Sequence, residues 1–292
     1  MGYDMTTIQK VILDYGCRIA QEVEARALLM YADAASELPL CKETLPGFEL
    51  ILVTKDGQIP ERFEGVCITL NVPNVNLTRV GQIKIAITKG IAIGLFKKGD
   101  KVVCLSGVPR FGYVDSIFVI DVGREFEILT SEHLVNLTEK VYPEVFGAIL
   151  NLSIELAAQG REGRKVGTSF IIGDHDRVLQ LSRQMIINPF MGYSEAERNV
   201  LNPELKETLK EFSALDGAFV IKEDGTIITA GRHLSAALEN KDFPQGLGSR
   251  HIAAAGITGI TNATAIVLSE STGNVSIFKN GKIFVTIEKP ID

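Results

Sequence analysis

The sequence lacks tryptophan, has few cysteines and contains no long uncharged apolar run. The four cysteines are Cys17, Cys41, Cys67 and Cys104, and no two of them form a Cys-x-x-Cys pair. This spacing argues against a zinc site or a disulfide framework, and it indicates free, mostly buried thiols in a reducing cytosol. Because no apolar run reaches about 18 residues, no membrane span is expected. The N-terminal residues also lack the basic segment and apolar core of a secretory signal.

Several motifs that identify common catalytic and nucleotide sites are missing as well. The sequence has neither a GxxxxGK[ST] loop nor a GxGxxG fingerprint after a strand, so no P-loop and no dinucleotide-binding turn are expected. It has neither HExxH nor GxSxG, which excludes the commonest metalloprotease and hydrolase sites. A nucleotide site in this chain would therefore be of a less common type.

The sequence also has fewer basic than acidic residues, with 30 Lys and Arg against 36 Asp and Glu. The formal net charge is -6 and the pI is about 5.4, so a broad nucleic-acid footprint and a nucleic-acid partner are not expected. A small anionic ligand stays compatible with this charge, because the field inside a pocket is local. The length of 292 residues and a hydrophobic content of 46% predict one large or two ordinary globular domains.

The first half of the chain alternates helical and strand patterns, which predicts an α/β layer domain. The predicted helices span 7–37 and 76–96, and the predicted strands span 48–53, 101–105 and 116–121. Leu38-Pro39 is expected to end the first helix. Residues 122–130 form the expected joint to the second half, and they carry no linker-like composition.

The second half predicts a mixed β-sheet with flanking helices. A helix is expected over 131–158 with a break at Tyr142-Pro143 and an end at Gly160. Strands are expected at 166–174, 218–221, 226–229, 263–269, 274–279 and 282–287, with an amphipathic segment at 178–185 and a helix starting at Asn202-Pro203. Lys279-Asn280-Gly281-Lys282 predicts a type I′ hairpin.

Polar residues are placed at the ends of two apolar elements of this second half. Asp216-Gly217 comes directly before the strand at 218–221, and Gly248-Ser249-Arg250-His251 comes directly before a helical pattern. A helix N-terminus offers unpaired N–H groups and a positive dipole end to an anion. A carboxylate can hold a hard divalent cation. Together these features are what a metal-bound polyphosphate requires.

The ordered set of such segments resembles the diadenylate cyclase domain. The resembling segments are 163–168, 182–184, 215–221, 248–251 and 269–273, and the similarity covers 134–289. Residues 94–103 and 107–109 resemble, more loosely, the C-terminal α/β domain of pyruvate kinase. The combination resembles the archaeal-type diadenylate cyclases. It implies a pyruvate-kinase-like α/β layer domain over 1–125, with a possible regulatory role, and a diadenylate-cyclase-type mixed sheet with flanking helices over 130–290.

The resemblance implies an enzyme, a nucleotidyltransferase that condenses two ATP into cyclic di-AMP and releases two pyrophosphates. The implied cofactor is Mn²⁺ or Mg²⁺. The implied partners are ATP, the cyclic di-AMP product and a second protomer, so that a cytoplasmic homo-oligomer with face-to-face active sites is expected. Which metal is preferred, how large the oligomer is and whether the N-terminal half binds an effector are left open by the sequence.

The resemblance also assigns site residues. Asp216, Arg250 and His251 are the implied catalytic residues, and Asp216 and Glu270 are the implied metal ligands. The implied ATP-binding residues are Gly217, Ala218, Leu234, Gly248, Ser249, Arg250, His251 and Ser269. The sequence departs from the family at Ile252, where a second arginine is expected. Arg164, Lys165, Arg183, Lys222 and Arg232 are candidate substitutes, among which the sequence does not choose.

Each of these roles has a plainer alternative. Asp216 and Gly217 are also typical of an ordinary turn, Ser249 of a helix N-cap, Glu270 of a solvated hairpin and Leu234 of the core. His133, His175 and His233 are interpreted as surface or helix-end residues rather than ligands. Because one arginine is missing, a weak or inactive sensor that binds ATP or cyclic di-AMP is an alternative function. A third hypothesis is a scaffold whose N-terminal half binds a partner or a metabolite.

Overall fold

The structure is a computed structural model that describes residues 5–35, 47–55, 57–59, 61–107, 113–124, 137, 140–235 and 248–289. The chain divides into two compact units. One unit comprises Met1–Leu134 with Pro290–Asp292, and the other comprises Val135–Lys289. In these described ranges no helix combines the length and the apolar character that a membrane crossing requires.

The N-terminal unit is built on a five-stranded sheet in the order β3-β2-β1-β4-β5. Its elements are α1 (Met5–Glu22), β1 (Ala27–Tyr31), α2 (Ala32–Ala35), β2 (Glu49–Thr54), β3 (Ile68–Asn71), α3 (Arg79–Ala92), β4 (Lys101–Ser106) and β5 (Ser116–Asp121). The first four strands of this order are parallel, and β5 is antiparallel to β4. The predicted α/β layer is therefore present in this unit.

The predicted helix over 7–37 is wrong after Glu22. The chain turns at Glu24, whose φ is 52°, and then forms β1, the central strand of the sheet. All five side chains of Ala27–Tyr31 are buried. A central parallel strand is covered on both faces, so its sequence is a continuous apolar run. Such a run is equally typical of a buried helix. That ambiguity explains the error.

The other boundaries in this unit differ by a few residues. α3 begins at Arg79 with Thr78 as its N-cap, and the Thr78 hydroxyl accepts a hydrogen bond from Gly81 N at 3.0 Å. It ends at Ala92 rather than at residue 96, since Gly94 has a positive φ of 75°. The short strand β3 was not predicted. Of the described cysteines only Cys104 is fully buried, while Cys17 and Cys67 are half-buried.

The C-terminal unit is built on a seven-stranded sheet in the order β12-β11-β10-β6-β8-β9-β7. Its helices are α4 (Pro143–Gln159), α5 (His175–Gln180), α6 (Leu205–Phe212) and α7 (Ser249–Ile260). Its strands are β6 (Thr168–Ile172), β7 (Ser182–Gln184), β8 (Ala218–Ile221), β9 (Ile227–Leu234), β10 (Thr264–Leu268), β11 (Val275–Lys279) and β12 (Lys282–Ile287). β6 and β8 are parallel, and the remaining pairs are antiparallel, so the predicted mixed sheet is confirmed.

Local signals in this unit were mostly interpreted correctly. α4 begins at Pro143 and ends at Gln159, and Gly160 is its C-cap with a φ of 63°. The predicted break at Tyr142-Pro143 is confirmed, because Tyr142 is the N-cap of α4; residues 131–136, 138 and 139 of the predicted helix lie outside the described residues. Asn280 and Gly281 have φ of 51° and 75°, which confirms the type I′ turn. The segment at 178–185 divides between α5 and β7, and β9 extends beyond residue 229 to Leu234.

Two groups of apolar side chains pack in the C-terminal unit, one around α7 and one made of phenylalanines. In the first group, α7 contributes Ala254, Ala255 and Ile257 to a buried cluster that includes Ile171 and Val220. Small alanines on the helix permit a close approach of α7 to the strands. A separate aromatic group is formed by Phe170, Phe190, Phe212 and Phe219.

Candidate functional site

The polar segments of the C-terminal unit converge at one edge of its sheet. Ser169 pairs with Ala218, so the parallel strands β6 and β8 both begin at this edge. Leu268 pairs with Thr168 and Arg232 with Ala218, so the antiparallel strands β10 and β9 end there. Segments that are far apart in the sequence are therefore adjacent, because strand pairing aligns two starts with two ends.

The first turn of α7 lies at the same edge. Gly248 is the N-cap, with φ -68° and ψ 164°, and Ser249 is the first helical residue. The alternative in which Ser249 caps the helix is therefore wrong. The Gly248 carbonyl accepts from His251 N and Ile252 N, whereas the N–H groups of Ser249 and Arg250 have no partner among the described residues. Unpaired amides at a helix start favour an anion.

Arg250 lies between two carboxylates. Its Nη2 is 3.6 Å from Asp216 Oδ1, and its Nη1 is 3.3 Å from Glu270 Oε2. The side chain of Arg250 is 30% exposed, whereas those of Asp216 and Glu270 are 84% and 60% exposed. The strand start at Asp216 and the helix start at Arg250 are thus close enough to share one ligand.

Two cavities adjoin at this point, and Ser249 and Arg250 line both of them. The larger has a volume of about 630 Å³ and is lined by Arg164, Lys165, Gly248, Ser249, Arg250, His251, Leu268, Ser269, Glu270 and Ser271. The smaller has a volume of about 170 Å³ and is lined by Ser169, Met185, Asp216, Gly217, Ala218, Arg232, His233, Leu234, Ser249, Arg250 and Ala253. Every residue that the sequence assigned to the site lines one cavity or the other.

The two cavities differ in chemical character. The smaller groups four apolar side chains, those of Met185, Ala218, Leu234 and Ala253, with the Asp216 carboxylate and with the cations Arg232 and Arg250 at its border. The larger presents cations and hydroxyls from three separate segments of the chain. An elongated ligand with an apolar ring at one end and anionic groups at the other fits this arrangement.

Gly217 has a structural reason to be glycine. Its φ is 102°, and an added Cβ would lie 2.7 Å from Arg232 N and from Gly231 C. The space that a side chain would occupy is thus filled by the backbone of β9. Its N–H donates to Asp216 Oδ1 at 2.9 Å, which orients the carboxylate.

His251 is a buried residue of the first turn of α7. Only 7% of its surface is exposed, and its ring contacts Phe278 edge-to-face with 5.8 Å between ring centroids. Burial, and secondarily the charge of Arg250, lowers the pKa of His251 below its ordinary value. At neutral pH this side chain therefore offers a hydrogen bond to the larger cavity and carries no charge.

The structure separates the candidate cations that the sequence left open. Arg164 and Lys165 line the larger cavity, whereas Arg183 and Lys222 line neither of the two. Arg232 lines the smaller cavity. Ile252, which stands at the position of the expected second arginine, is 41% exposed and lines neither cavity.

Sequence reasoning missed several residues that line the cavities. They are Ser169, Met185, Ala253, Leu268 and Ser271, together with His233, which was interpreted as a surface residue. The exposure of His233 agrees with that interpretation, but it also lines the smaller cavity. Ser169 comes to the site only because β6 pairs with β8, a non-local register that no local pattern in the sequence encodes.

The capacity of the site for a metal rests on two carboxylates. Across the described ranges no group of three or more His, Cys, Asp and Glu side chains is arranged to hold a metal ion. Asp216 and Glu270 are exposed and flank the guanidinium of Arg250. In proteins, Mg²⁺ is usually bound by one or two carboxylates together with the phosphates of a substrate. The residues present therefore fit a metal that arrives with a nucleotide.

Comparison with known protein families finds two matches. Residues 155–283 match the DAC family, described as "DisA bacterial checkpoint controller nucleotide-binding". Residues 9–130 match the DacZ_P family, described as "Probable sensor domain". The first match contains all of the proposed site residues.

Two relatives extend over most of the chain. The diadenylate cyclase of Methanocaldococcus jannaschii is 30% identical and covers 94% of this chain and 95% of its own length. The diadenylate cyclase of Haloferax volcanii is 37% identical and covers 71% of this chain and 75% of its own length. Among solved structures, a double mutant of DacA from Staphylococcus aureus is 21% identical with a TM-score of 0.32, covering 49% of this chain and 85% of its own.

The length of these alignments, rather than any single motif, decides the family. At 30% identity the alignment with the Methanocaldococcus jannaschii protein covers nearly the whole of both chains. The range that matches the nucleotide-binding family, 155–283, includes Asp216 and Arg250, whose Oδ1 and Nη2 atoms lie 3.6 Å apart. The chain belongs to the diadenylate cyclases.

Proposed function

We propose that this chain condenses two molecules of ATP into cyclic di-AMP and releases two pyrophosphates. The observation that carries the proposal is the position of Arg250 and the α7 N-terminus between two adjoining cavities, with Asp216 beside them. The names of the relatives over most of the chain support the same activity.

The two cavities suggest how one ATP is oriented. The adenosine would occupy the smaller cavity, against Met185, Ala218 and Leu234, where apolar contact suits a purine ring. The triphosphate would extend into the larger cavity. The α-phosphate would then lie at the junction, beside Ser249 and Arg250, where unpaired amides and a guanidinium are available.

We propose Mn²⁺ or Mg²⁺ as the cofactor, held by Asp216 and, on the other side of Arg250, by Glu270. When bound, the metal would neutralise phosphate charge and lower the proton affinity of the attacking 3′-hydroxyl. The fit rests on two exposed carboxylates beside a cavity large enough for a triphosphate.

The chain's own residues would act mainly by position and charge. The 3′-hydroxyl of one nucleotide would lose its proton to solvent as its oxygen forms a bond to the α-phosphorus of the other, and the bond from that phosphorus to the bridging oxygen would break, so that pyrophosphate leaves. In such in-line transfer the protein orients the reactants and stabilises charge, and it needs no covalent nucleophile. Arg250 and the α7 amides would bind the developing negative charge, and neutral His251 would donate or accept a hydrogen bond.

The reaction requires two nucleotides, so we propose that two copies of the chain bring their sites face to face. Large apolar side chains are exposed directly after β7, next to the smaller cavity, and Ile187 is 92% and Met191 76% exposed. Tyr193 and Met185 extend this surface. We propose that this segment contacts the second copy, because it continues from Met185, which lines the cavity.

The direct test is to incubate the protein with ATP and Mn²⁺ and to measure cyclic di-AMP by chromatography. Asp216→Asn should lower the yield at least about a hundredfold, because one metal and phosphate ligand loses its charge. Asp176→Asn is the matched control, since Asp176 is equally exposed, at 86%, but lies on α5. Equal product from both variants would remove Asp216 from the mechanism, and no product from the wild type with any divalent metal would remove the activity.

One observation favours a second function, that of a sensor which binds nucleotide without turnover. Ile252 replaces an expected cation, and Arg250 is already engaged by two carboxylates. In that case calorimetry would detect ATP or cyclic di-AMP binding while chromatography detected no product.

We further propose that the N-terminal unit regulates the C-terminal one, in agreement with the sensor description of the family that it matches. Removing it should then change the rate or the oligomer size, and unchanged values for both would contradict this role.

A further inference from the structure

We infer that Arg164 and Lys165 form a second cationic wall of the larger cavity and bind the two distal phosphates of the triphosphate. This inference rests on the proposed function, since it assigns residues to one end of the proposed substrate. It also answers which cations take the place of the arginine that Ile252 replaces.

The first support is their location and their lack of ionic partners. Arg164 and Lys165 line the larger cavity together with Ser249, Arg250 and His251. Within the described residues, neither forms an ion pair, and Lys165 Nζ only donates to the carbonyl of Ser271 at 3.4 Å. Both side chains are exposed and no carboxylate of the described residues pairs with either, so their charges are available to an anion that enters the cavity.

The second support is that other candidate cations are already used. Arg232 donates from Nε to Ser182 Oγ at 2.8 Å and from Nη2 to the carbonyls of Leu179 and Ser182. Lys222 pairs with Glu195 at 2.7 Å. Arg183 lies on β7 and lines neither cavity. Of the candidates, Arg164 and Lys165 are left as unpaired cations at the larger cavity.

The third support is the turn that presents them. Glu162 and Gly163 have φ of 47° and 73°, and the backbones of Arg161 and Arg164 exchange hydrogen bonds of 2.9 and 2.8 Å across the turn. The Arg161 guanidinium pairs with Glu207 at 3.0 Å and also with Glu211, both on α6. The turn is thus tied to a helix before any ligand binds, which reduces the entropy cost of ordering its cations.

Arg250, on one side of the larger cavity, and the second wall of Arg164 and Lys165 have different partners and therefore different roles. Arg250 contacts both carboxylates, which places it where the metal and the α-phosphate meet in the proposed site. Arg164 and Lys165 come from the segment before β6, in the part of the larger cavity that the smaller cavity does not share. A triphosphate that begins at the junction reaches them with its β- and γ-phosphates.

The experiment compares two probes on the full chain by calorimetry, a non-hydrolysable ATP analogue and AMP. The double variant Arg164→Ala/Lys165→Ala should bind the ATP analogue at least about tenfold more weakly, since charge-assisted contacts to two phosphates are lost. Its affinity for AMP should change less than about twofold, because AMP lacks the distal phosphates. Arg183→Ala is the matched control and should bind both probes like the wild type.

Circular dichroism and thermal unfolding would show whether the double variant is folded, and Arg164→Lys/Lys165→Arg, which keeps both charges, should restore most of the affinity. An unchanged affinity for the ATP analogue, or an equal loss for both probes, would overturn the inference while leaving the cyclase proposal intact. A wild-type protein that binds neither the analogue nor inorganic triphosphate would overturn both.

Discussion

At the scale of single residues, the guanidinium of Arg250 holds the site together through contacts that are easily exchanged. Its distances to Asp216 and Glu270 are 3.6 and 3.3 Å, and both carboxylates are more than half exposed. Ion pairs of this kind contribute only about 0 to 1 kcal/mol. A phosphate can therefore replace a carboxylate at Arg250 without a large loss of stability.

His251 gives a pH dependence at this scale. Its pKa is lowered by burial and by Arg250, so the unfolded chain takes up a proton at a higher pH than the folded chain does. Stability should therefore decrease as the pH falls below the ordinary histidine value of about 6.5, until the folded pKa is passed. Urea midpoints at several pH values should fall less steeply for His251→Gln than for the wild type.

His233→Gln is the control for this experiment, because His233 is exposed. It should follow the wild-type profile over the same pH range. A His251→Gln profile that coincides with the wild type would show that burial of this imidazole has no part in the acid sensitivity.

At the scale of elements, local chemistry predicted the ends of strands and helices better than it predicted their neighbours. Asp216-Gly217 was correctly placed before β8 and Gly248 before α7, because turn formers and caps are local signals, whereas α7 already begins at Ser249. β1 was interpreted as helix, because a strand covered on both faces has no alternation to reveal it. Pairing registers such as Ser169 with Ala218 depend on the whole sheet and could not be predicted.

The close approach of β9 to Gly217 predicts how one added methyl group at this position would change the free energy of unfolding. Gly217→Ala should destabilise the protein by more than about 3 kcal/mol, because it adds left-handed strain to an overlap with the β9 backbone at 2.7 Å. Gly163→Ala is the matched control, since its φ is +73° and no described atom lies within 4 Å of the added carbon. It should cost only about 1 kcal/mol.

Urea denaturation of both variants measures the difference. Similar losses for the two would mean that the close approach of β9 is relaxed at little cost, and that backbone strain alone explains the glycine at 217.

At the scale of the whole molecule, the length was compatible with one or two domains, and the two resemblances predicted two; the chain divides into two compact units. The site residues were also largely named in advance, because the ordered motifs carry them. What could not be predicted was which cation serves the larger cavity. That choice depends on the partners of Arg232 and Lys222, which only the folded chain reveals.

Ligand binding should therefore affect the two units differently. A saturating non-hydrolysable ATP analogue, at about 100 times its Kd, stabilises the folded state that binds it by about 2.7 kcal/mol. Hydrogen exchange should slow by up to about a hundredfold in β6, β8, β10 and α7 of the C-terminal unit. Amides of β1, β2 and β4 should change little, and protection confined to those strands would place the nucleotide in the other unit.

The turn at Arg164, the segment before β8, the start of α7 and the turn after β10 come together only when β6, β8, β9 and β10 have paired. No short stretch of the chain holds enough of these groups to recognise a nucleotide by itself. A chain emerging from the ribosome would therefore be unable to bind ATP in this way until it had been synthesised and folded through Ser271, the last residue that lines either cavity. Incompletely synthesised chains would therefore have no cyclase activity, and no separate inhibitor would be needed.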